Sequence, residues 1–165
     1  MHTINVTVAA IIQSKNKFLM VEEHETDGSV VFNQPAGHVE ANESIEQAVV
    51  REVFEETGLE FLPEYLIGTY LLSPADNGKH YLRFCYYGNV QDESQVAPRD
   101  SDIIAAHWMT IEQIMALGTK LRSGLVLKCL NDFKTGAKHP LNSIEFCPDE
   151  SELIEICYNR LQDLN

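Results

Sequence analysis

Three glutamates that lie close together in the chain, Glu52, Glu55 and Glu56, have the types and spacing that point most directly to chemistry. An α-helix turns by about 100° per residue, so their side chains would fall within an arc of roughly 100° on one helical face. Carboxylate oxygens are the ligands that hard divalent ions prefer. The spacing therefore predicts one acidic cluster that binds Mg²⁺, with Mn²⁺ as an alternative ion.

A helix over residues 45–57 is predicted to hold these glutamates. Ser44 and Gln47 have the spacing of a capping box at its start, and Gly58 suits the left-handed position that follows a helix end. Valines recur on a different side of the same segment, as expected for an amphipathic helix that packs against a core. The helix would thus bury one side and present its glutamates on another.

The charge balance of this helix also favours a bound cation. The glutamates fall in its last turns, where the helix dipole and their mutual repulsion disfavour negative charge. Arg51 can reach Glu55 at i,i+4, but one guanidinium cannot neutralise three carboxylates. A bare acidic stretch is more often a solvated helix face, so the wider spacing around it decides between the two interpretations.

That wider spacing resembles the signature of the Nudix hydrolases, GX5EX7REUXEEXGU, in which U is an aliphatic residue. Gly37, Glu43 and the block REVFEETGL at residues 51–59 agree with every specified position. The resemblance implies that Glu52, Glu55 and Glu56 bind the metal ion and that the Gly37 carbonyl can add a further ligand. It also implies that Arg51 orients a glutamate and that Glu43 reaches the metal through water.

Further segments are similar to the NudJ-type phosphatase branch of that family, over roughly residues 4–142. This branch implies Mg²⁺-dependent hydrolysis of nucleoside tri- and diphosphates and of hydroxymethylpyrimidine pyrophosphate, on an α/β/α sandwich around a mixed sheet. The segments are NQPAGHVEANES, LRF at 82–84, DSDI beginning at Asp100, and LRS at 121–123.

The general base and the substrate contacts are less specified. Glu52 or Glu55 can remove the proton from water, and Asp100 and Asp102 on a downstream loop are the alternatives, with Glu93 a weaker one. Each candidate substrate contact has a structural alternative, which is a surface ion pair, core packing or an exposed loop position. The candidates are Arg83, Arg122 and His38 for phosphate, and Phe32, Tyr81 and Tyr87 for stacking on a base.

Composition limits the other classes of function. The 165-residue chain has a formal net charge of −13, which disfavours a nucleic-acid polymer as partner but permits a small phosphate ligand at a metal ion. No apolar run approaches the length of a membrane span, and the N-terminus lacks the basic start of a signal peptide. Four scattered cysteines show neither CxxC nor zinc-ligand spacing. We therefore expect a cytoplasmic protein, monomeric or a small homo-oligomer.

The order of elements predicts the fold class. Short strands near residues 5–12, 17–22 and 30–34 precede the acidic helix. Strands at 65–72, 80–90 and 105–109 follow it, with helices at 111–116 and 123–133. This order favours an α+β or layered α/β/α fold with a mixed sheet covered on both faces. Residues 1–142 would form the catalytic domain, and residues 143–165 an extension, helical from about Ser151 and packed on the same domain.

The leading functional hypothesis is therefore a Mg²⁺-dependent hydrolase that cleaves a phosphoanhydride bond in a small pyrophosphate substrate. One alternative is hydrolysis of another nucleoside diphosphate compound, such as ADP-ribose, a dinucleoside polyphosphate or an oxidised nucleotide. A second alternative is a nucleotide-sensing module without turnover, which loss of the metal glutamates would favour. None of those glutamates is lost in this sequence.

Overall fold

A computed structural model describes residues 3–147 and 149–162 of the chain. The predicted strands and helices occur along it in the predicted order, with β4 as an additional strand, and two short 3₁₀ turns at Gly118–Lys120 and Leu141–Ser143 join the later elements. The strands and α-helices are β1 (Ile4–Ser14), β2 (Lys17–His24), β3 (Val30–Asn33), β4 (Ala36–His38), α1 (Ile45–Thr57), β5 (Phe61–Leu72), β6 (His80–Val90), β7 (Ile103–Thr110), α2 (Ile111–Ala116), α3 (Leu125–Lys134) and α4 (Glu150–Gln162).

The described strands form one mixed sheet. Its main order is β3-β2-β1-β6-β5, with β4 added to β1 and β7 added to β2. Strand β1 runs parallel to β6 over residues 4–12 and antiparallel to β4, and its last two residues form a hairpin with β2. The remaining pairs are antiparallel. The long central β1 thus connects both halves of the sheet.

Helices cover the sheet on both faces. Alternate residues of β1 point to opposite sides, so Val8 and Ala10 pack in the cluster that contains α1, while Ala9 and Ile11 pack in the cluster that contains α2 and α3. Strand β6 alternates in the same way. The predicted α/β/α sandwich with a central mixed sheet is therefore confirmed.

Several element boundaries differ from the sequence-based expectation. Strand β4 is not among the predicted strands, since Ala36, Gly37 and His38 have little preference for strands. It is extended because it pairs with β1. Strand β5 begins at Phe61 instead of Tyr65, and its pairing with β6 shifts register beside Pro63. Helix α3 begins two residues later than predicted. Strands β1 and β2 form an antiparallel hairpin, and so do β5 and β6.

The predicted C-terminal helix forms as α4, and its described side chains are exposed. Large apolar residues on it keep substantial accessible surface, such as Ile154 at 63% and Leu161 at 63%. The boundary at residue 142 and the packing of this extension on the domain stay predictions, and residues 163–165 lie outside the described part. No helix within that part is long and apolar enough to cross a membrane.

Candidate functional site

Helix α1 positions the acidic cluster, and its ends lie where the sequence predicts. The Ser44 hydroxyl accepts from the Gln47 backbone N–H at 3.1 Å, and the Gln47 side chain accepts from the Ser44 N–H at 2.7 Å. Ala48, Val49 and Val53 are fully buried against the sheet. This apolar stripe fixes the rotation of the helix, so the glutamates on its other side have a defined direction.

The C-terminus of α1 is closed by a loop instead of a basic side chain. Gly58 has φ of 74°, and its N–H donates to the Phe54 carbonyl at 2.8 Å. The backbone N–H groups of Arg99 and Asp100 both donate to the Glu55 carbonyl, at 2.8 and 2.9 Å. These amides satisfy helix carbonyls that would otherwise lack partners.

Strand β4 meets the acidic face of α1. The Ala36 N–H donates to Glu56 Oε2 at 2.8 Å. A Cβ atom on Gly37 would lie 2.1 Å from the Glu52 carboxyl carbon, so a side chain at this position would displace that carboxylate. The predicted ligands Glu52 and Glu56, together with Gly37, are therefore brought together at one edge of the sheet.

Arg51 connects most of the carboxylates of the motif. Its Nε and Nη2 donate to the two oxygens of Glu43 at 3.0 and 2.8 Å. Its Nη1 donates to Glu52 at 2.8 Å and to Glu55 at 3.0 Å, and Nη2 also reaches the His38 carbonyl at 2.9 Å. The expected i,i+4 contact with Glu55 is present. Arg51 thus orients Glu43, Glu52 and Glu55 at once.

Burial makes the acidic cluster unfavourable in the absence of a cation. It raises the pKa of Glu56 well above its ordinary value. The hydrogen bond from the Ala36 N–H lowers this pKa, whereas the nearby charges of Glu23, Glu52 and Asp100 raise it further. Burial also raises the pKa of Glu52 despite Arg51. The hydrogen bond from Arg51 instead lowers the pKa of Glu43.

The donor set fits a hard divalent ion chemically, because it consists of carboxylate oxygens beside a backbone carbonyl. Among residues 3–147 and 149–162, however, no three acidic, histidine or cysteine side chains are already arranged as a metal-binding group. Glu52 and Glu55 both point to Arg51. The assignment of Glu52, Glu55, Glu56 and Gly37 as metal ligands stays a prediction.

The alternative bases lie on the loop that closes α1. Asp100 is close enough to Glu56 to raise its pKa, and its carboxylate accepts from the Asp102 N–H at 2.9 Å. Asp102 is exposed, and its carbonyl accepts from His24. Glu93 instead accepts from the Ser14 hydroxyl at the end of β1. The structure therefore brings Asp100 close to the cluster, whereas Glu93 pairs elsewhere.

Sequence reasoning missed Glu23, a carboxylate of β2 that is only 8% exposed. Burial raises its pKa, and the Arg122 guanidinium opposes this shift from 3.1 Å. Arg122 also pairs with Glu25 at 3.3 Å. No local signal identifies Glu23, because it belongs to an ordinary strand and its partner comes from a distant loop. Arg122 therefore has counter-charges within the protein.

The other substrate candidates differ in how much of their surface is accessible and in the residues that they contact. His38 lies on β4 with much of its surface accessible, but partial burial of its ring, together with the nearby Arg122 and Lys79 charges, lowers its pKa. The Phe32 ring lies 6.0 Å from that of His107. The Tyr81 hydroxyl accepts a hydrogen bond from the Asn77 side chain at 3.0 Å. The Tyr87 ring stacks on the rings of Tyr65 and Phe133, with centroid distances of 5.0 and 4.9 Å.

Tyr87 therefore has a packing role on the face that α3 covers. Arg83 on β6 is 7% exposed, and its Nε and Nη1 have no hydrogen-bond partner among the residues that the structure describes. The roles of Arg83, Arg122, His38, Phe32 and Tyr81 in substrate binding stay predictions.

The sandwich fold and the capped acidic helix define a Nudix hydrolase, and the NUDIX domain family matches residues 1–128. The chain belongs to this family of enzymes, which hydrolyse pyrophosphate bonds in nucleoside diphosphate compounds.

Individual relatives agree with this conclusion. Phosphatase NudJ of Escherichia coli K12 is 36% identical over 140 residues, which cover 85% of this chain and 90% of the relative. A NUDIX hydrolase from Nitrosomonas europaea superposes with a TM-score of 0.83 at 42% identity, over 90% of this chain and 100% of that one. The MutT protein from Methanosarcina mazei Go1 shares the fold, with a TM-score of 0.68 at 23% identity, over 83% and 98% of the two chains.

Proposed function

We propose that this protein is a Mg²⁺-dependent phosphatase that cleaves a phosphoanhydride bond in nucleoside tri- or diphosphates or in hydroxymethylpyrimidine pyrophosphate. The observation that carries this proposal is the convergence of Glu52 and Glu56 on β4 at Gly37 and Ala36. Similarity to Phosphatase NudJ over most of the chain supports the phosphatase class. Mn²⁺ is the expected substitute ion.

In this proposal Glu52, Glu55 and Glu56 hold the metal ion, with the Gly37 carbonyl as a further ligand. When bound, the ion masks phosphate charge and lowers the pKa of a coordinated water. Arg51 holds the carboxylates in place through its hydrogen bonds. Glu43 fixes the guanidinium from the other side. The chain's own contribution is therefore to direct carboxylates to one point and to restrain them.

Glu52 or Glu55 removes the proton from the attacking water in this scheme. Glu55 is the more accessible of the two, with its side chain 46% exposed against 12% for Glu52. Asp100 is the alternative base, because its loop is anchored on the Glu55 carbonyl; Asp102 lies beside it. Substitution of each carboxylate, with the rate followed against pH, separates these assignments.

The substrate is a small pyrophosphate, and the candidates for its binding are His38, Phe32, Tyr81, Arg83 and Arg122. Of the two arginines, Arg122 is the weaker candidate for binding phosphate, because it is already paired with Glu23 and Glu25. Cytoplasmic location and a monomeric or small oligomeric state are part of the same proposal.

The test compares Glu52→Gln with Glu46→Gln, a matched change in the first turn of the same helix. Metal-dependent release of orthophosphate and pyrophosphate would be measured with nucleoside tri- and diphosphates, hydroxymethylpyrimidine pyrophosphate and ADP-ribose. We expect Glu52→Gln to lower kcat by about 100-fold or more, because a group that acts on the transition state is removed. Glu46→Gln should leave kcat near that of the wild type.

Three results would contradict the proposal. Near wild-type turnover by Glu52→Gln would refute the metal-ligand assignment. Cleavage of ADP-ribose alone would refute the phosphatase assignment and favour the alternative class of substrate. Tight nucleotide binding without turnover under Mg²⁺ or Mn²⁺ would instead indicate a sensing module.

A further inference from the structure

Arg83 is a buried cation that forms no ion pair with another residue of the described part of the chain. It lies in the middle of β6 and is 7% exposed. Its Nε and Nη1 atoms are buried and have no hydrogen-bond partner within the same residues. The ion pairs formed by the described residues involve Arg51, Arg122, His107 and Lys128, and Arg83 takes part in none of them.

A buried guanidinium destabilises the folded protein unless an anion pairs with it. Removing a charge from water carries a large penalty that a counter-ion must offset, and two unsatisfied N–H groups add to it. Arginine also remains charged when it is buried. An anionic ligand would therefore relieve an existing cost at this position.

The sheet register places Arg83 in a row of polar residues on the face that α2 and α3 cover, and this row begins on β4, the strand that adjoins the acidic helix. Across β4, β1, β6 and β5, the paired residues are His38, Thr7, Arg83 and Tyr70. Directly paired residues of adjacent strands point to the same face, and neighbouring strands lie about 4.8 Å apart. Arg83 is thus two strands, or roughly 10 Å, from the β4 backbone that contacts Glu52 and Glu56.

Thr7 provides a second donor beside Arg83. It is 6% exposed, and its hydroxyl likewise has no hydrogen-bond partner in residues 3–147 and 149–162. Beyond Arg83 the row is closed, because the Tyr70 hydroxyl donates to Asp132, which also pairs with Lys128. At its β4 end the row finishes at His38, which is exposed. The row is therefore closed at the Tyr70 end and exposed at the end where Glu52 and Glu56 meet β4.

We propose that Arg83 and Thr7 bind the terminal phosphoryl group of the substrate and thereby select pyrophosphates with a free end. This inference rests on the proposed function. A terminal phosphate carries close to two negative charges at neutral pH, whereas a phosphate esterified on both sides carries one. An unpaired buried guanidinium favours the more highly charged group, and it donates to phosphate oxygens in a suitable geometry. Nucleoside diphosphates fit this requirement, and ADP-ribose does not.

The first test measures anion binding without turnover. Thermal unfolding would be followed in EDTA while inorganic orthophosphate is titrated at constant ionic strength. We expect phosphate to raise the Tm of the wild type and of Arg160→Met, a matched control on α4, but not that of Arg83→Met. Without phosphate, Arg83→Met should melt about 2–4 °C above the wild type, because an uncompensated charge is replaced by an apolar chain of similar length.

Thr7→Val provides an independent variant, since it removes the hydroxyl with little change of shape. It should weaken the phosphate response without lowering the Tm of the free protein. A wild type that does not respond to phosphate would overturn the proposal. The proposal would also be overturned if phosphate raised the Tm of Arg83→Met, or if this variant melted below the wild type. Arg83 would then be a structural residue.

The second test measures selectivity. The ratio of kcat/KM for a nucleoside diphosphate to that for ADP-ribose should fall by roughly 100-fold in Arg83→Met, because unpaired recognition groups discriminate strongly. An unchanged ratio would contradict the proposed selection. If the wild type hydrolyses no substrate of the panel, the proposed function fails while the thermal test of the phosphate site still stands. The two failures are therefore distinguishable.

Discussion

Helices α1 and α4 have the same length, 13 residues, but very different surroundings. Helix α1 buries Ala48, Val49 and Val53 completely, and both of its ends are capped. On α4 the described side chains are exposed, including Ile154 and Leu161. A helix of this size is marginal by itself in water, so packing supplies most of its stability. The comparison indicates that α1 is a rigid support for chemistry, whereas α4 is held by few contacts.

Gly37→Ala should have a large effect on activity, second to that of Glu52→Gln. The added Cβ would meet the Glu52 carboxylate, which is the end of a flexible side chain and can move. We expect kcat for phosphate release to fall by about 10- to 100-fold, since a displacement of 1 Å can cost this much. Gly124→Ala is the matched control, because its Cβ would meet no atom within 4 Å. An unchanged kcat in Gly37→Ala would show that Glu52 is not held at a required position.

Val53→Ala should have the largest effect on stability. Val53 is fully buried between α1 and the sheet, so the change removes apolar contacts and leaves a cavity. We expect the free energy of unfolding in urea to fall by about 2 kcal/mol. A loss below about 0.5 kcal/mol would mean that α1 is not the rigid support described above.

Ser44→Ala should have an intermediate effect, because it removes the hydroxyl that accepts from the Gln47 N–H. We expect a loss of about 1 kcal/mol in unfolding free energy, the usual value for an N-cap. Gln47→Ala removes the reciprocal half of the box and serves as the comparison. If neither variant lowers the urea midpoint, the start of α1 is determined by tertiary packing alone.

Ile154→Ala on α4 should have the smallest effect. The side chain is 63% exposed, so we expect the unfolding free energy to change by less than about 0.5 kcal/mol. Urea denaturation at several protein concentrations would measure it. A larger loss that is independent of concentration would indicate that α4 packs on its own domain, as the sequence suggested. A loss that depends on concentration would indicate contact with a second copy.

The sequence was sufficient to predict where α1 begins and ends, because the signals for both ends are local. A capping box, a C-terminal glycine and an apolar stripe all lie within residues 44–58, and the helix runs from Ile45 to Thr57 as predicted. The signature spacing also identified the residues that meet at β4. These features depend on side chains only a few positions apart, which is the range in which patterns are reliable.

Features that depend on distant partners could not be predicted in the same way. Strand β4 consists of Ala36, Gly37 and His38 and exists because β1 pairs with it. The pair of Glu23 with Arg122 joins a strand to a loop near the other end of the domain. The burial of Arg83 follows from α3 covering one face of the sheet. Each of these is decided by tertiary contacts, which override local preference.

The loop from residue 91 to Asp100 tolerates insertions and deletions only in part of its length. Ala97, Arg99 and Asp100 all donate backbone hydrogen bonds to carbonyls of Glu55 and Thr57, and a Cβ on Gly58 would lie 2.4 Å from the Ala97 carbonyl oxygen. Insertions or deletions between residues 91 and 96 would leave these contacts intact. A change of one residue between 97 and 100 would break them and move the loop away from the glutamates. Length polymorphism in this loop should therefore be confined to its first half.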